Sequence, residues 1–73
     1  GSKYREEIMY MLFVSKYQMA VNSVEDKKVE RYNNAREEYY YFADEYPNSR
    51  YAADVKKMYE DIEAYLENYK FED

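Results

Sequence analysis

The sequence contains no cysteine, no histidine and no tryptophan, and only one glycine and one proline in 73 residues. Without cysteine there is neither a disulfide staple nor a thiolate metal site. Without histidine the commonest general base and the commonest metal ligand are both missing. One glycine and one proline leave few places to turn, and 37% charged residues complete a helical composition. A chain this short lies near the lower limit for a self-sufficient core. No uninterrupted apolar run reaches membrane-spanning length, and no signal-peptide pattern is present. Eleven Lys and Arg against sixteen Asp and Glu give a net charge of -5, which argues against nucleic acid or an anionic membrane surface as partner. Gly1-Ser2 reads as the remnant of a cleaved expression tag, which makes residues 3–73 a single helical domain taken from a longer protein.

What the chain has in abundance is tyrosine, twelve in all. Most fall at helical spacing. In a first segment, from about Lys3 to Asn22, Tyr10, Phe13, Val14, Tyr17, Ala20 and Val21 mark one face. Ile8, Met11, Leu12 and Met19 fall on a second, offset face, so this helix is expected to be covered from more than one side. Ser23 with Asp26 three residues on reads as a short capping box, and Glu25 and Asp26 suit the positive end of a helix dipole. A second helix is predicted to run from there to Tyr46 with Tyr32, Ala35, Tyr39, Phe42, Ala43 and Tyr46 inward. Pro47 ends it, and Asn48 or Ser49 caps a third. The third stripe is Tyr51, Val55, Met58, Tyr59, Ile62, Tyr65, Leu66 and Tyr69, with the terminal KFED fraying. Short connections make successive helices antiparallel neighbours. The predicted fold is all-α, a three-helix antiparallel array.

In so thin an array most inward positions lie near an edge, where a tyrosine ring packs and its hydroxyl stays wet. Tyr40 and Tyr41 fall off the inward stripe and, with Arg36 and with Arg50 at the proline seam, are candidate partner-binding residues, being of the types that dominate interface energetics. The carboxylates Glu6, Glu7, Glu37, Glu38, Asp44, Glu45, Glu60, Asp61 and Glu63 read as solvated faces. A di-iron bundle would pair such glutamates with Glu-x-x-His, and a calcium loop needs an oxygen-rich turn with glycine; neither pattern occurs. No nucleophile–base pair or glycine-rich phosphate loop occurs either. No catalytic residue, metal or cofactor is therefore expected.

The block from Lys28 to Tyr69 resembles a tetratricopeptide repeat, with Ala35 at the small position of the second helix, Tyr39 at the aromatic position and Pro47 at the terminal proline. Phe42 departs from the pattern, which prefers alanine there. The resemblance makes the first two helices a repeat hairpin and the third either the start of a next unit or a capping helix. More narrowly, "AVNS", the "ERY" of Glu30 to Tyr32 and "Y..FADEYPNSRYAAD" look like the C-terminal part of a BamD-type (YfiO-like) outer-membrane protein assembly lipoprotein, closest to its Bacteroidetes branch. That likeness covers nearly the whole chain after Phe13. It implies a non-enzymatic scaffold that binds the barrel-forming central component of the assembly machinery. It places the scaffold at the periplasmic face of the outer membrane, with the lipid anchor on an upstream segment and no insertion by this fragment itself. The broad first-helix surface of Ile8, Met11, Leu12 and Met19 is then the edge where a preceding repeat has been cut away, available for a homodimer. The alternative reading is an independent helical adaptor or oligomerisation domain.

Overall fold

The structure, a computed structural model, describes residues 2–70. It consists of α1 (Ser2–Val21), α2 (Glu25–Glu45) and α3 (Ala52–Lys70), with no strand among the described residues. Cross-helix contacts set their directions. Arg5 Nη2 donates to Glu45 Oε1 at 3.1 Å, joining the start of α1 to the end of α2. The Tyr65 hydroxyl donates to Glu25 at 3.0 Å, joining the end of α3 to the start of α2. Tyr10 stacks on Tyr51 and the Tyr17 hydroxyl reaches Asp61, so α1 and α3 run parallel. This is the expected antiparallel three-helix array. The expected fraying of Phe71, Glu72 and Asp73 lies outside the described residues, as does Gly1 of the presumed tag remnant.

The two connections work differently. Ser23 does not cap α2. Its hydroxyl donates back to the Met19 carbonyl and accepts from Arg31 Nη1 at 2.8 Å, while Asn22 Nδ2 donates to the Gln18 carbonyl at 3.0 Å. Both side chains serve the orphan carbonyls at the end of α1. The residue before α2 is Val24, extended at φ -65° and ψ 156°, with no side-chain cap. Glu25 and Asp26 in the first turn supply the favourable dipole interaction instead. At the second connection Pro47 holds Tyr46 out of the helical region, at φ -134° and ψ 63°. A turn then closes from the Ser49 amide to the Tyr46 carbonyl at 3.2 Å, with proline at its second position, where its fixed φ suits the turn. Neither Asn48 nor Ser49 stands directly before α3, which begins at Ala52; Ser49 acts in the turn ahead of it, where its hydroxyl oxygen accepts from the Tyr51 amide at 3.0 Å and its proton goes to the Glu6 carboxylate on α1.

The array is thin, with principal extents of 45 × 18 × 15 Å. One row of side chains is therefore fully enclosed: Phe13, Ala20, Tyr32, Ala35, Phe42, Val55 and Ile62. Around it pack Met9, Tyr10, Val14, Tyr17, Tyr39, Tyr46, Tyr51, Met58, Tyr65 and Leu66. The predicted inward stripes hold except at their far ends. Val21 and Tyr69 are exposed, because they share the end of the bundle where no further helix covers them. Tyr32 stacks on Tyr65 with ring centroids 4.2 Å apart, Tyr39 on Tyr59 at 4.1 Å, and Tyr10 on Tyr51 at 4.0 Å. Between the first two stacks Arg36 bridges to Glu63 at 3.0 Å. Two of these edge tyrosines, and Tyr17, hand their hydroxyl protons to carboxylates on a different helix: Tyr17 to Asp61 at 2.6 Å, Tyr65 to Glu25 at 3.0 Å and Tyr51 to Glu7 at 3.3 Å. The reading of the acidic residues as solvated faces is thus corrected for Glu6, Glu7, Glu38, Glu45, Asp61 and Glu63, each of which bonds to another helix or to the seam.

Ala35 is fully buried in the enclosed row, as the repeat pattern requires. Ala35→Leu should overpack it and lower stability by about 1–3 kcal/mol in denaturant melts; an unchanged midpoint would show that the site has room to spare.

The tyrosine–carboxylate bonds also set a pH dependence. The Tyr17 hydroxyl is pushed up to about 12, first by its bond to Asp61 and then by burial. Tyr65 is pushed up to about 12 by burial and by its bond to Glu25. The folded chain holds these protons more tightly than the unfolded one, whose tyrosines titrate near 10. The stabilisation is therefore complete below pH 10 and is lost as pH rises through 12. Denaturant stability should fall over that interval, and Tyr17→Phe should be less stable at pH 8 yet fall less steeply; identical slopes would remove Tyr17 from the account.

Candidate interaction surfaces

Residues 37, 40, 41 and 44 follow the i, i+3, i+4, i+7 spacing that puts them on one face of α2, opposite Tyr39 and Phe42. Tyr40 is 51% and Tyr41 67% exposed. Together with Glu37 and Asp44 they line one shallow concavity. Tyr40 is held from behind. Its ring meets Tyr39 edge-on at 5.8 Å and Tyr59 at 5.9 Å, with the Tyr40 and Tyr59 hydroxyls 3.4 Å apart. That hydroxyl contact, then burial, raises the pKa of Tyr59. Tyr41 projects from the same face without an aromatic neighbour among the described residues.

The two candidate arginines lie elsewhere. Arg36 Nη1 donates to Glu63 at 3.0 Å and Nη2 to Asn33 Oδ1 at 2.7 Å, so its guanidinium ties α2 to α3 and points away from Tyr41. Arg50 sits over the Tyr51 ring, 5.0 Å from its centroid, and donates to the Tyr51 hydroxyl at 3.0 Å. It borders a groove of about 460 Å³ between the start of α1 and the proline seam, which Lys3, Glu6, Tyr46 and Ser49 also line. The four candidates therefore occupy three places: an aromatic face, an interhelical brace and the seam.

On α1, Ile8, Met11, Leu12 and Met19 are all exposed, and Tyr4 extends the same stripe by one turn toward the N-terminus. Tyr4 was not singled out in the sequence, although it precedes Ile8 by four residues. Glu37 and Asp44 were grouped with ordinary surface. No sequence signal sets them apart: neither has a Lys or Arg three or four residues away on α2, but the same is true of Glu38 and Glu45, which bond to α1.

Among the described residues no cluster of three or more acidic, histidine or cysteine side chains is arranged to hold a metal ion. No described helix is long and apolar enough to cross a membrane. The geometry is one of braced helices with uncovered faces. Compared with known proteins, no curated protein and no solved structure gives a significant match. A protein-family profile described as "YfiO: Outer membrane lipoprotein" matches residues 1–72, almost the full length, and agrees with the resemblance carried by "ERY" and "FADEYPNSRYAAD". The chain belongs to the YfiO family of outer membrane lipoproteins.

Proposed function

We propose that the chain is a non-enzymatic scaffold that takes part in the assembly and insertion of β-barrel proteins into the outer membrane. It would do so by binding the periplasmic domains of the barrel-forming central component of the machinery. The observation that carries this reading is the family match over residues 1–72. The geometry supports it: stacked rings and cross-helix bonds hold the faces rigid, so little conformational freedom is lost on binding. In this reading the scaffold lies at the periplasmic face of the outer membrane, anchored through a lipid on an upstream segment of the parent protein. Tyr40, Tyr41 and Arg50 contact the partner, and Arg36 sets the angle between α2 and α3 behind them. The Ile8–Met11–Leu12–Met19 stripe packs against a preceding helical unit of the parent and, when α1 is freed, against a second copy of itself.

A photo-crosslinking residue placed at Tyr41 or Arg50 of the parent protein in its own cells should yield an adduct identified by mass as the barrel-forming component. The same probe at Glu60 should not. Adducts absent from both test positions would count against the scaffold reading.

The 73-residue chain should sediment as a dimer at high micromolar concentration, and Leu12→Glu should return it to monomer. Each exposed Leu- or Met-sized side chain gains roughly 1.5–3 kcal/mol on full burial, which drives the association. A wild-type monomer throughout the concentration series would show that α1 needs no cover.

A further inference from the structure

We infer that the outer face of α2, formed by Glu37, Tyr40, Tyr41 and Asp44, docks a basic segment of a protein partner, with an arginine or lysine side chain laid against the two rings. This deepens the scaffold reading and rests on it for the statement that the partner is a protein.

The first support is what the carboxylates do. Glu6, Glu7, Glu38, Glu45, Asp61 and Glu63 are each engaged by a side chain of another helix or of the seam. Glu37 and Asp44 have no ion pair and no side-chain hydrogen bond among the described residues, as is also true of Asp26, Glu30, Asp54, Glu60 and Glu67; what distinguishes the first two is the pair of exposed tyrosines between them. They stand seven residues apart, roughly 10 Å along the helix, with Tyr40 and Tyr41 between them. That separation is too long for both to ligate one metal ion. It matches two basic side chains of one segment, each presenting its cationic head at one end of an aromatic platform.

The second support is the rings. A tyrosine face attracts a guanidinium or ammonium through its quadrupole, and Arg adds a planar fork that bonds a carboxylate. The same chemistry already operates inside the chain, where Arg50 lies over Tyr51 and Lys28 Nζ lies 5.8 Å from the Tyr65 ring centre. On the α2 face the rings and acids are in place and the cation is not supplied by the chain. Tyr40 is fixed by Tyr39 and Tyr59, so one wall of the site exists before the partner arrives. The net charge of -5 favours approach of a basic segment and disfavours an acidic one.

The test is a titration of the isotopically labelled 73-residue chain with hexa-arginine, followed by amide NMR shifts at low salt. Saturable shifts should centre on residues 37–44. The double variant Glu37→Gln/Asp44→Asn should weaken binding roughly fivefold or more, from two exposed charge pairs. Glu60→Gln/Glu67→Gln removes the same charge at the same seven-residue spacing on α3 and should weaken it much less. Tyr40→Leu/Tyr41→Leu, which keeps both acids, should also weaken it. Shifts spread evenly over all acidic faces, equal weakening by the two acid variants, or no binding would overturn the inference. A localised titration alongside failed crosslinking to the barrel-forming component would leave the site standing and remove that component as its partner. Successful crosslinking with a diffuse titration would do the reverse.

Discussion

The contact of α3 with the other helices depends on three pairs of parallel tyrosine rings, Tyr10–Tyr51, Tyr32–Tyr65 and Tyr39–Tyr59. A bundle only 18 × 15 Å in cross-section cannot enclose more than one row of side chains. Everything beside that row is at an edge, where leucine would leave apolar surface in water. Tyrosine buries a large ring and leaves its hydroxyl at the rim, and a ring pair adds roughly 0.5–1.5 kcal/mol beyond its area. The hydroxyl then finds a carboxylate on another helix, as Tyr17 does with Asp61 and Tyr65 with Glu25. At three places the acidity of the chain and its tyrosine content work together: Tyr17, Tyr51 and Tyr65 give their hydroxyl protons to carboxylates.

The seam at Pro47 translates this packing into a fixed arrangement. Proline stops α2, the Tyr46–Ser49 turn reverses the chain, and Ser49 holds the Tyr51 amide just ahead of α3 while bonding to Glu6 of α1. Arg5–Glu45 and Tyr51–Glu7 flank that contact. All three helices therefore meet at one end of the bundle, and the register of α3 against α1 is set where Tyr51 stacks on Tyr10. Exposed ion pairs alone stabilise little. Here they surround a ring stack and a turn, and their contribution is to hold a geometry.

The helices, their boundaries within a few residues and their inward faces were legible because apolar spacing, one proline and one small residue at Ala35 all point the same way. Two local features misled. Ser23 has the sequence of a cap for α2, yet the carbonyls of α1 compete for the same hydroxyl and win. Val21 and Tyr69 continue their stripes in sequence but pass the point where another helix covers them. The carboxylate partners were not legible at all. Tyr17–Asp61, Tyr51–Glu7 and Tyr65–Glu25 each span forty or more residues, and no spacing rule reaches that far. Nor could the sequence separate Arg36, braced against Glu63, from Tyr41, which touches open solvent. Both are residue types favoured at interfaces, and only the fold decides which is already engaged.

That division between engaged and free groups bears directly on function. In a small acidic protein most charged side chains could serve either as cross-helix bonds or as contacts to a partner, and composition does not distinguish the two. Once the engaged groups are set aside, two of the uncovered regions differ sharply in chemistry. The α1 stripe of Ile8, Met11, Leu12 and Met19 is apolar and runs along a helix axis, which suits another helix packed alongside. The α2 face pairs aromatic rings with unbonded acids, which suits a polar, cationic contact made and released in water. The two lie on different helices and differ in character. In the proposed scaffold reading, one helical unit would be joined to its neighbours through α1 while α2 is left to a partner.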